Sequence, residues 1–472
     1  MLARTGLPDT LRNMRATPYS QSMTASKFSA LNFGQLSLIG VTCFLFALAA
    51  TAQVAPPQRQ TCPADTAKDS KCMTGRDSAG AYYWLVVPPN WNGTLVVHAH
   101  GGPELGTPRP ERATDDATRW AIWSRAGYAY AGSGFRQGGV AVRSAAEDTE
   151  RVRTLFVEQW GQPKVTVLHG QSWGAGVAAR TAEIFTAPPN SKPVYDAVLL
   201  TSGVLAGGSQ SYNFRLDLRV VYQVVCNNHP QSDEAAYPLW QGLPMSNPLT
   251  RAELAARVDA CTGIRQKPAA RSAAQQRNLK TILDVIRIPE SSLLGHMNWA
   301  TWHFQDIVFN RLGGRNPFSN SNVRYVGSAD DDALNANVMR YAADSGALKD
   351  FSADTDPQGR IPVPVITMHG INDAVAFVEL ESIFRDTMAS GGSLQRLVQV
   401  FTRDDNHSYS SDAQYVTAMR ALLDWVASGN KPTPGSIARQ CASAAAIFEA
   451  QTGCRFLPEF QPQPLSARVP NR

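Results

Sequence analysis

Lys164 to His169 is an apolar, β-branched run. It breaks at Gly170-Gln171-Ser172-Trp173-Gly174, and small residues follow from Ala175 to Phe185. A β-branched run reads as a buried strand and the small-residue stretch as a helix. A chain that passes from strand to helix this abruptly holds the middle residue in a strained turn, and side chains on the flanking positions would strike neighbouring elements. The Gly-x-Ser-x-Gly form meets that need and places Ser172 on the strand-to-helix turn. The plainer alternative is a Gly-rich turn with an incidental serine. The strand before and the helix after favour the elbow.

The rest of the chain extends the pattern. Tyr82 to Val87 and Thr94 to His100 read as strands, and Asn92-Gly93 between them is a hairpin signal. Residues 114–126 look helical, and a strand covers 128–132. Ala145 to Trp160 is an amphipathic helix, with Val152, Leu155, Phe156 and Gln159 at helical spacing. Asp196 to Leu200 is the next strand. Strands alternating with helices imply a mostly parallel, doubly wound α/β sheet. The alternation stops over 204–361, a helical and loop-like stretch carrying Trp240, Trp299 and Trp302. Strands return at 364–368 and 395–401, and a helix closes the pattern at 414–427. A long insertion in a doubly wound fold covers the strand ends that carry a site. The expected organisation is therefore a leader over 1–52, a core in two parts (53–203 and 362–428) around a mainly helical lid (204–361), and a tail over 429–472. The tail is expected to hold a short helix pinned by Cys441 and Cys454.

The leader reads as a secretory signal. Leu36 to Ala50 is apolar but short for a membrane span. Lys27 flanks it, and Ala50-Thr51-Ala52 offers a small-x-small cleavage pattern. Met23 is a plausible alternative start, and an uncleaved anchor is the competing reading. Cys43 lies in this run, and six cysteines remain: Cys62, Cys72, Cys226, Cys261, Cys441 and Cys454. An even number in an exported chain points to disulfides, whose pairing the sequence alone leaves open. The three local pairs, 62–72, 226–261 and 441–454, are favoured. The expected location is secreted or periplasmic, with no stable membrane span after signal removal. Of 44 basic and 39 acidic residues, four basic and one acidic precede residue 53, so the remainder is nearly neutral. With no basic block interleaved with aromatics, nucleic acid is not an implied partner.

A serine hydroxyl is a poor nucleophile until a base takes its proton and an acid orients that base. The acid belongs after a later strand, and Asp373 in His369-Gly370-Ile371-Asn372-Asp373 occupies that place. The base belongs one strand further on, where Asp404-Asp405-Asn406-His407 follows Leu397 to Phe401. Asp373 could instead be part of an ordinary Asn-Asp turn. Of the other seven histidines, His98, His100, His169 and His369 fall on or beside core strands, where packing and hydrogen bonding explain them. His229, His296 and His303 lie in the insertion. His98 and His100 share a strand face, but no acidic or cysteine ligand is near in sequence, so no metal is expected. His100-Gly101-Gly102 follows the strand where backbone donors for an oxyanion are expected, and Gly101 and Gly102 allow close approach. The N–H of Trp173 is the second donor.

Taken together, His100-Gly-Gly, the elbow, His369-Gly-Ile-Asn-Asp373 and Asn406-His407 resemble the α/β-hydrolase superfamily. The stretch Gly203 to Gly208 is similar to secreted bacterial hydrolases described as esterase-like or prolyl-oligopeptidase-like. The resemblance implies Ser172 as nucleophile, Asp373 as acid and His407 as base, with no cofactor. Asn406 stands where that family commonly has glycine, and Trp173 is bulkier than usual. The expected activity is an exported serine esterase working through an acyl-enzyme on a small-molecule acyl substrate, with Trp299 and Trp302 in an apolar pocket. An amide hydrolase with the same triad is the nearest alternative, and a catalytically silent binding protein on the same fold is the alternative of another class. The sequence leaves the oligomeric state open.

Overall fold

A computed structural model describes residues 56–185, 193–448 and 453–472. The expected signal segment, with Cys43, lies outside the described residues. Among the described residues, no helix is long and apolar enough to cross a membrane.

The described residues form one sheet of nine strands: β1 (Gln58–Arg59), β2 (Lys71–Arg76), β3 (Tyr82–Val87), β4 (Thr94–Ala99), β5 (Ala129–Ser133), β6 (Val165–Gln171), β7 (Ala197–Thr201), β8 (Val365–Gly370) and β9 (Leu397–Thr402). Their spatial order is β1-β2-β3-β5-β4-β6-β7-β8-β9. The first three strands join antiparallel, and β3 also runs antiparallel to β5. From β5 to β9 every neighbour is parallel. This is the α/β-hydrolase fold. The central strands β4, β6, β7 and β8 are buried along nearly their whole length. That explains their unbroken apolar runs, because a parallel strand is covered on both faces.

The hairpin expected at Asn92-Gly93 does not form. β3 and β4 are not neighbours, because β5 lies between them. Asn92 and Gly93 serve a crossing connection instead: the Asn92 side chain accepts from the Thr94 N–H at 2.9 Å, and Gly93 takes φ +95°. The Asn-Gly signal reports a tight turn, not the pairing of its flanks. The hairpin falls one connection earlier, β2 to β3, where Asp77 Oδ1 accepts from the N–H groups of Ala79 and Ala81.

Helices α1 (Pro110–Arg119) and α2 (Ile122–Arg125) replace the single helix expected over 114–126. The first begins earlier because Pro110 suits the first helical turn, where no N–H partner is needed. α3 (Val142–Trp160) and α4 (Trp173–Phe185) flank β6. Between β7 and β8 lie α5 (Gly207–Cys226), α6 (Arg251–Thr262), α7 (Ala273–Ile286), α8 (Leu293–Asn298), α9 (Asp331–Asn337) and α10 (Ser345–Thr355). α8 runs on into two wider, π-helical segments, Trp299–His303 and Asp306–Arg311. This helical stretch shares one hydrophobic core with the sheet: Leu216, Phe304 and Phe351 belong to the same buried cluster as Leu95, Val97 and Leu168. α11 (Leu380–Ser390) and α12 (Asp412–Ser428) complete the layers.

The tail helix is longer than expected, 15 residues in α13 (Pro434–Phe448). Beyond it Phe456 bridges to Thr402, and Arg472 pairs with buried Asp217 of α5 at 2.7 Å. The three local cysteine pairs are bonded: Cys62–Cys72, Cys226–Cys261 and Cys441–Cys454. Such closures typically stabilise a fold by about 2–4 kcal/mol, chiefly by restricting the unfolded chain.

Candidate active site

Ser172 joins β6 to α4 with φ +60°, a left-handed conformation unusual for a non-glycine residue. Its N–H donates to the Thr201 carbonyl at 3.0 Å, tying the turn to β7. The two glycines of the motif are sterically required. A Cβ on Gly170 would lie 2.1 Å from the Gly174 carbonyl oxygen, and one on Gly174 would lie 2.1 Å from the Ala99 carbonyl oxygen. Both obstacles are backbone and cannot swing away. Gly174→Ala is expected to destabilise the protein by about 3 kcal/mol or more. Urea unfolding would measure it, and a loss below about 1 kcal/mol would show that the elbow can relax.

The structure brings together the three side chains selected from sequence. Ser172 Oγ is 2.7 Å from His407 Nε2, and His407 Nδ1 is 2.7 Å from Asp373 Oδ2. Ser172 and Asp373 are buried, and His407 is half-buried. Asp373 Oδ1 accepts from the N–H groups of Val375 and Ala376 at 2.8 and 3.0 Å. Asp373 therefore has one oxygen held by backbone and the other turned towards the His407 imidazole. Burial raises its carboxyl pKa, but hydrogen bonds and charge from His369 and His407 outweigh that and hold it well below the usual carboxylate range.

His369, assigned to packing from sequence, carries more. It is fully buried, with Nδ1–H donating to Glu381 Oε1 at 3.1 Å and Nε2 lying 2.8 Å from the Ala376 carbonyl and 3.4 Å from Asp373 Oδ2. Burial opposes its charged form, yet the bonds and charges of Asp373 and Glu381 raise its pKa to about 10. Against an ordinary histidine near 6.5, this contribution to stability is fully present below about pH 6.5 and fades as pH climbs towards 10. Unfolding free energy is expected to drop by more than about 1.4 kcal/mol, the worth of one pKa unit, between pH 6 and 10. His369→Gln should flatten that slope. Equal slopes in both proteins would refute a charged His369.

Gln171, the variable residue before the serine, links both sides of the site. Its Nε2 donates to the His407 carbonyl at 3.0 Å, and its Oε1 closes on Gly101, where a Cβ would approach to 2.7 Å. Gly102 follows with φ +78°. Trp173 opens α4, where a first-turn N–H lacks an intrahelical acceptor. Below this loop, His100 Nδ1 contacts Asp116, and His98 Nδ1 meets His169 Nδ1 at 2.9 Å across β4 and β6. Burial lowers the pKa of His98 and of His169, and for His169 the charge of His98 adds to the effect. A neutral pair can share one proton between the two Nδ1 atoms, so these histidines act as supports.

A cavity of about 380 Å³ opens beside Gly102, lined also by Pro103, Glu104, Arg109, Arg251, Trp299 and His303. His303 Nε2–H donates to the Pro103 carbonyl at 2.8 Å, so the π-helical segment holds the loop that carries Gly101 and Gly102. Of the two tryptophans proposed from sequence, Trp299 lines this cavity. Trp302 packs against the core, with the Arg251 guanidinium 5.1 Å from its ring centre. Side-chain placement on a π-helical turn has no simple sequence period, and only the structure separates the two. Arg215, whose guanidinium lies 4.6 Å from the ring centre of Trp299, had no motif to mark it.

No protein-family model matches the chain, and no curated protein matches it in sequence. Several solved structures align with it at low identity. Feruloyl esterase B from Aspergillus oryzae aligns with TM-score 0.41 and 14% identity over 82% of this chain and 90% of that one. The rice cell wall degrading esterase LipA from Xanthomonas oryzae aligns with TM-score 0.39 and 12% identity over 79% and 99%. Puromycin hydrolase aligns with TM-score 0.35 and 15% identity over 80% and 40%.

Proposed function

We propose that this chain is an exported serine hydrolase that cleaves a carboxylic ester through an acyl-enzyme. The observation that carries the reading is the unbroken line Ser172 Oγ, His407, Asp373, with both links at 2.7 Å and the serine in the left-handed turn. His407 Nε2 takes the Ser172 proton as Oγ attacks the acyl carbon. Asp373 holds the Nδ1–H and stabilises the imidazolium that forms. The backbone N–H of Trp173 and those of the Gly101-Gly102 loop receive the developing oxyanion. His407 then passes its proton to the leaving alcohol. Water, deprotonated by the same ring, attacks the acyl-serine and releases the acid with Ser172 restored. Export rests on the apolar leader and is supported by the three disulfides.

A fluorophosphonate probe followed by peptide mass spectrometry tests the nucleophile. Modification at Ser172 is expected, and folded protein left unlabelled would overturn the reading. A matched aryl ester and anilide would then compare ester with amide turnover, since the same triad serves both bonds.

A further inference from the structure

Arg215 lies on α5, is only 5% exposed, and has no carboxylate within ion-pair reach among the described residues. Its guanidinium carbon is 4.7 Å from the Tyr212 ring centre, 4.7 Å from that of Phe214 and 4.6 Å from that of Trp299. Among the described residues its one hydrogen bond is from Nη1 to the Ser211 carbonyl, a turn back on its own helix, and its buried Nε has no hydrogen-bond partner.

A neighbouring arginine shows what a structural role looks like. Arg219, one turn further along α5, is also buried, and its two terminal nitrogens reach the carbonyls of Gly242, Ala300 and His229, the Thr301 hydroxyl and the Tyr237 hydroxyl. Arg219 has acceptors on several elements and ties them together, although its Nε, like that of Arg215, has no partner among the described residues. Arg215 has rings above its faces and donors left over. Burying a cation is costly unless an anion or a full set of acceptors meets it. Aromatic faces offset part of that cost but do not accept the in-plane N–H groups. Burial accordingly pulls its pKa down to about 10, with only Tyr212 opposing.

The cage borders the candidate active site. Trp299 lines the cavity beside Gly102, and Tyr212 meets the Trp173 ring edge-on at 5.9 Å. The cavity mouth leans the same way in charge. Glu104 is matched by Arg109 at 3.2 Å and Arg112 at 3.0 Å, while Arg251 rests only on the Trp302 ring among the described ion pairs and ring contacts. From the mouth to the cage, positive charge exceeds negative.

We propose that the substrate carries a carboxylate, and that Arg215, caged by Tyr212, Phe214 and Trp299, is the cation that receives it. This rests on the serine-hydrolase reading of the same site. The planar fork of arginine suits a carboxylate through two parallel N–H bonds, and Arg251 at the mouth draws the anion in. The substrate class is then the monoester of a diacid, or an ester whose alcohol part bears an acid group.

Two matched pairs test both placements of the anion: mono-4-nitrophenyl adipate against 4-nitrophenyl heptanoate, and 4-acetoxybenzoate against 4-tolyl acetate. In at least one pair the charged ester is expected to show a kcat/KM tenfold or more above its neutral partner. That ratio should fall at least tenfold in Arg215→Met, which keeps bulk without charge, and should be partly kept in Arg215→Lys. A neutral preference in both pairs overturns the proposal on wild-type protein alone, whether or not the variants fold. An unchanged ratio in Arg215→Met also overturns it. If no ester is turned over and fluorophosphonate leaves Ser172 unlabelled, the hydrolase reading fails and takes this one with it. Neutral turnover with phosphonate labelling but no charge preference removes the carboxylate assignment alone.

Discussion

Ser172→Ala is expected to lower kcat/KM on any acyl ester by roughly 10⁴- to 10⁶-fold and to abolish phosphonate labelling. The size follows from what one atom does. In the proposed reaction Oγ is the only atom of the residue that forms the covalent bond, and its 2.7 Å contact with His407 Nε2 is the route by which that ring would activate it. The backbone that shapes the turn is unchanged, since the bond from the Ser172 N–H to the Thr201 carbonyl and those from Ala175 and Val204 to the Ser172 carbonyl involve no side chain. Stability should therefore move by less than about 1 kcal/mol. Residual turnover would come from the oxyanion donors and substrate binding, which the substitution leaves in place. Steady-state kinetics beside a thermal melt would check both halves. Activity within tenfold of wild type, in protein that melts normally, would mean that another group attacks the carbonyl.

The sheet was legible where a strand's surroundings are uniform. β4, β6, β7 and β8 are covered on both faces, and their apolar runs announce them. β1 and β2 were missed, because β1 has two exposed residues and β2 shows no apolar run. The order of elements led to Ser172, Asp373 and His407, since each stands just past a strand end in the loop order that this fold uses. The Asn92-Gly93 turn misled because pairing between strands is a tertiary choice that a dipeptide does not encode. The supports of the site were hidden for another reason. Gln171 fills the free position of the elbow motif, His369 looked like a strand residue, and Arg215 is one of 44 basic residues. What singles them out is what they touch: the His407 carbonyl, the Oδ2 of Asp373, and three rings without an acid. Sequence spacing located the groups proposed to react, and partners brought in from distant elements located the groups that hold them.

Asp373→Asn is expected to reduce kcat by about 10⁴-fold, with little change in KM. The variant is nearly the same shape, so the loss must come from protons. The backbone N–H groups of Val375 and Ala376 already claim Oδ1, at 2.8 and 3.0 Å, and would keep the amide oxygen there. The new NH₂ would then stand where Oδ2 now accepts from His407 Nδ1. Two donors cannot share that contact, so His407 would have to present a bare Nδ1 and carry its proton on Nε2, facing Ser172. A ring protonated there cannot take the Ser172 proton. His369 Nε2, which lies 3.4 Å from the same carboxylate oxygen, loses the anion it faces, but the two backbone donors on Oδ1 outnumber it in setting the amide. No neighbour can substitute. Asp404 is held by Arg455 and Gln414, and Asp405 by Asn372. The phosphonate labelling rate should drop in parallel with kcat, since both need an activated Oγ. A labelling rate and kcat within tenfold of wild type would show that His407 is oriented by something other than Asp373.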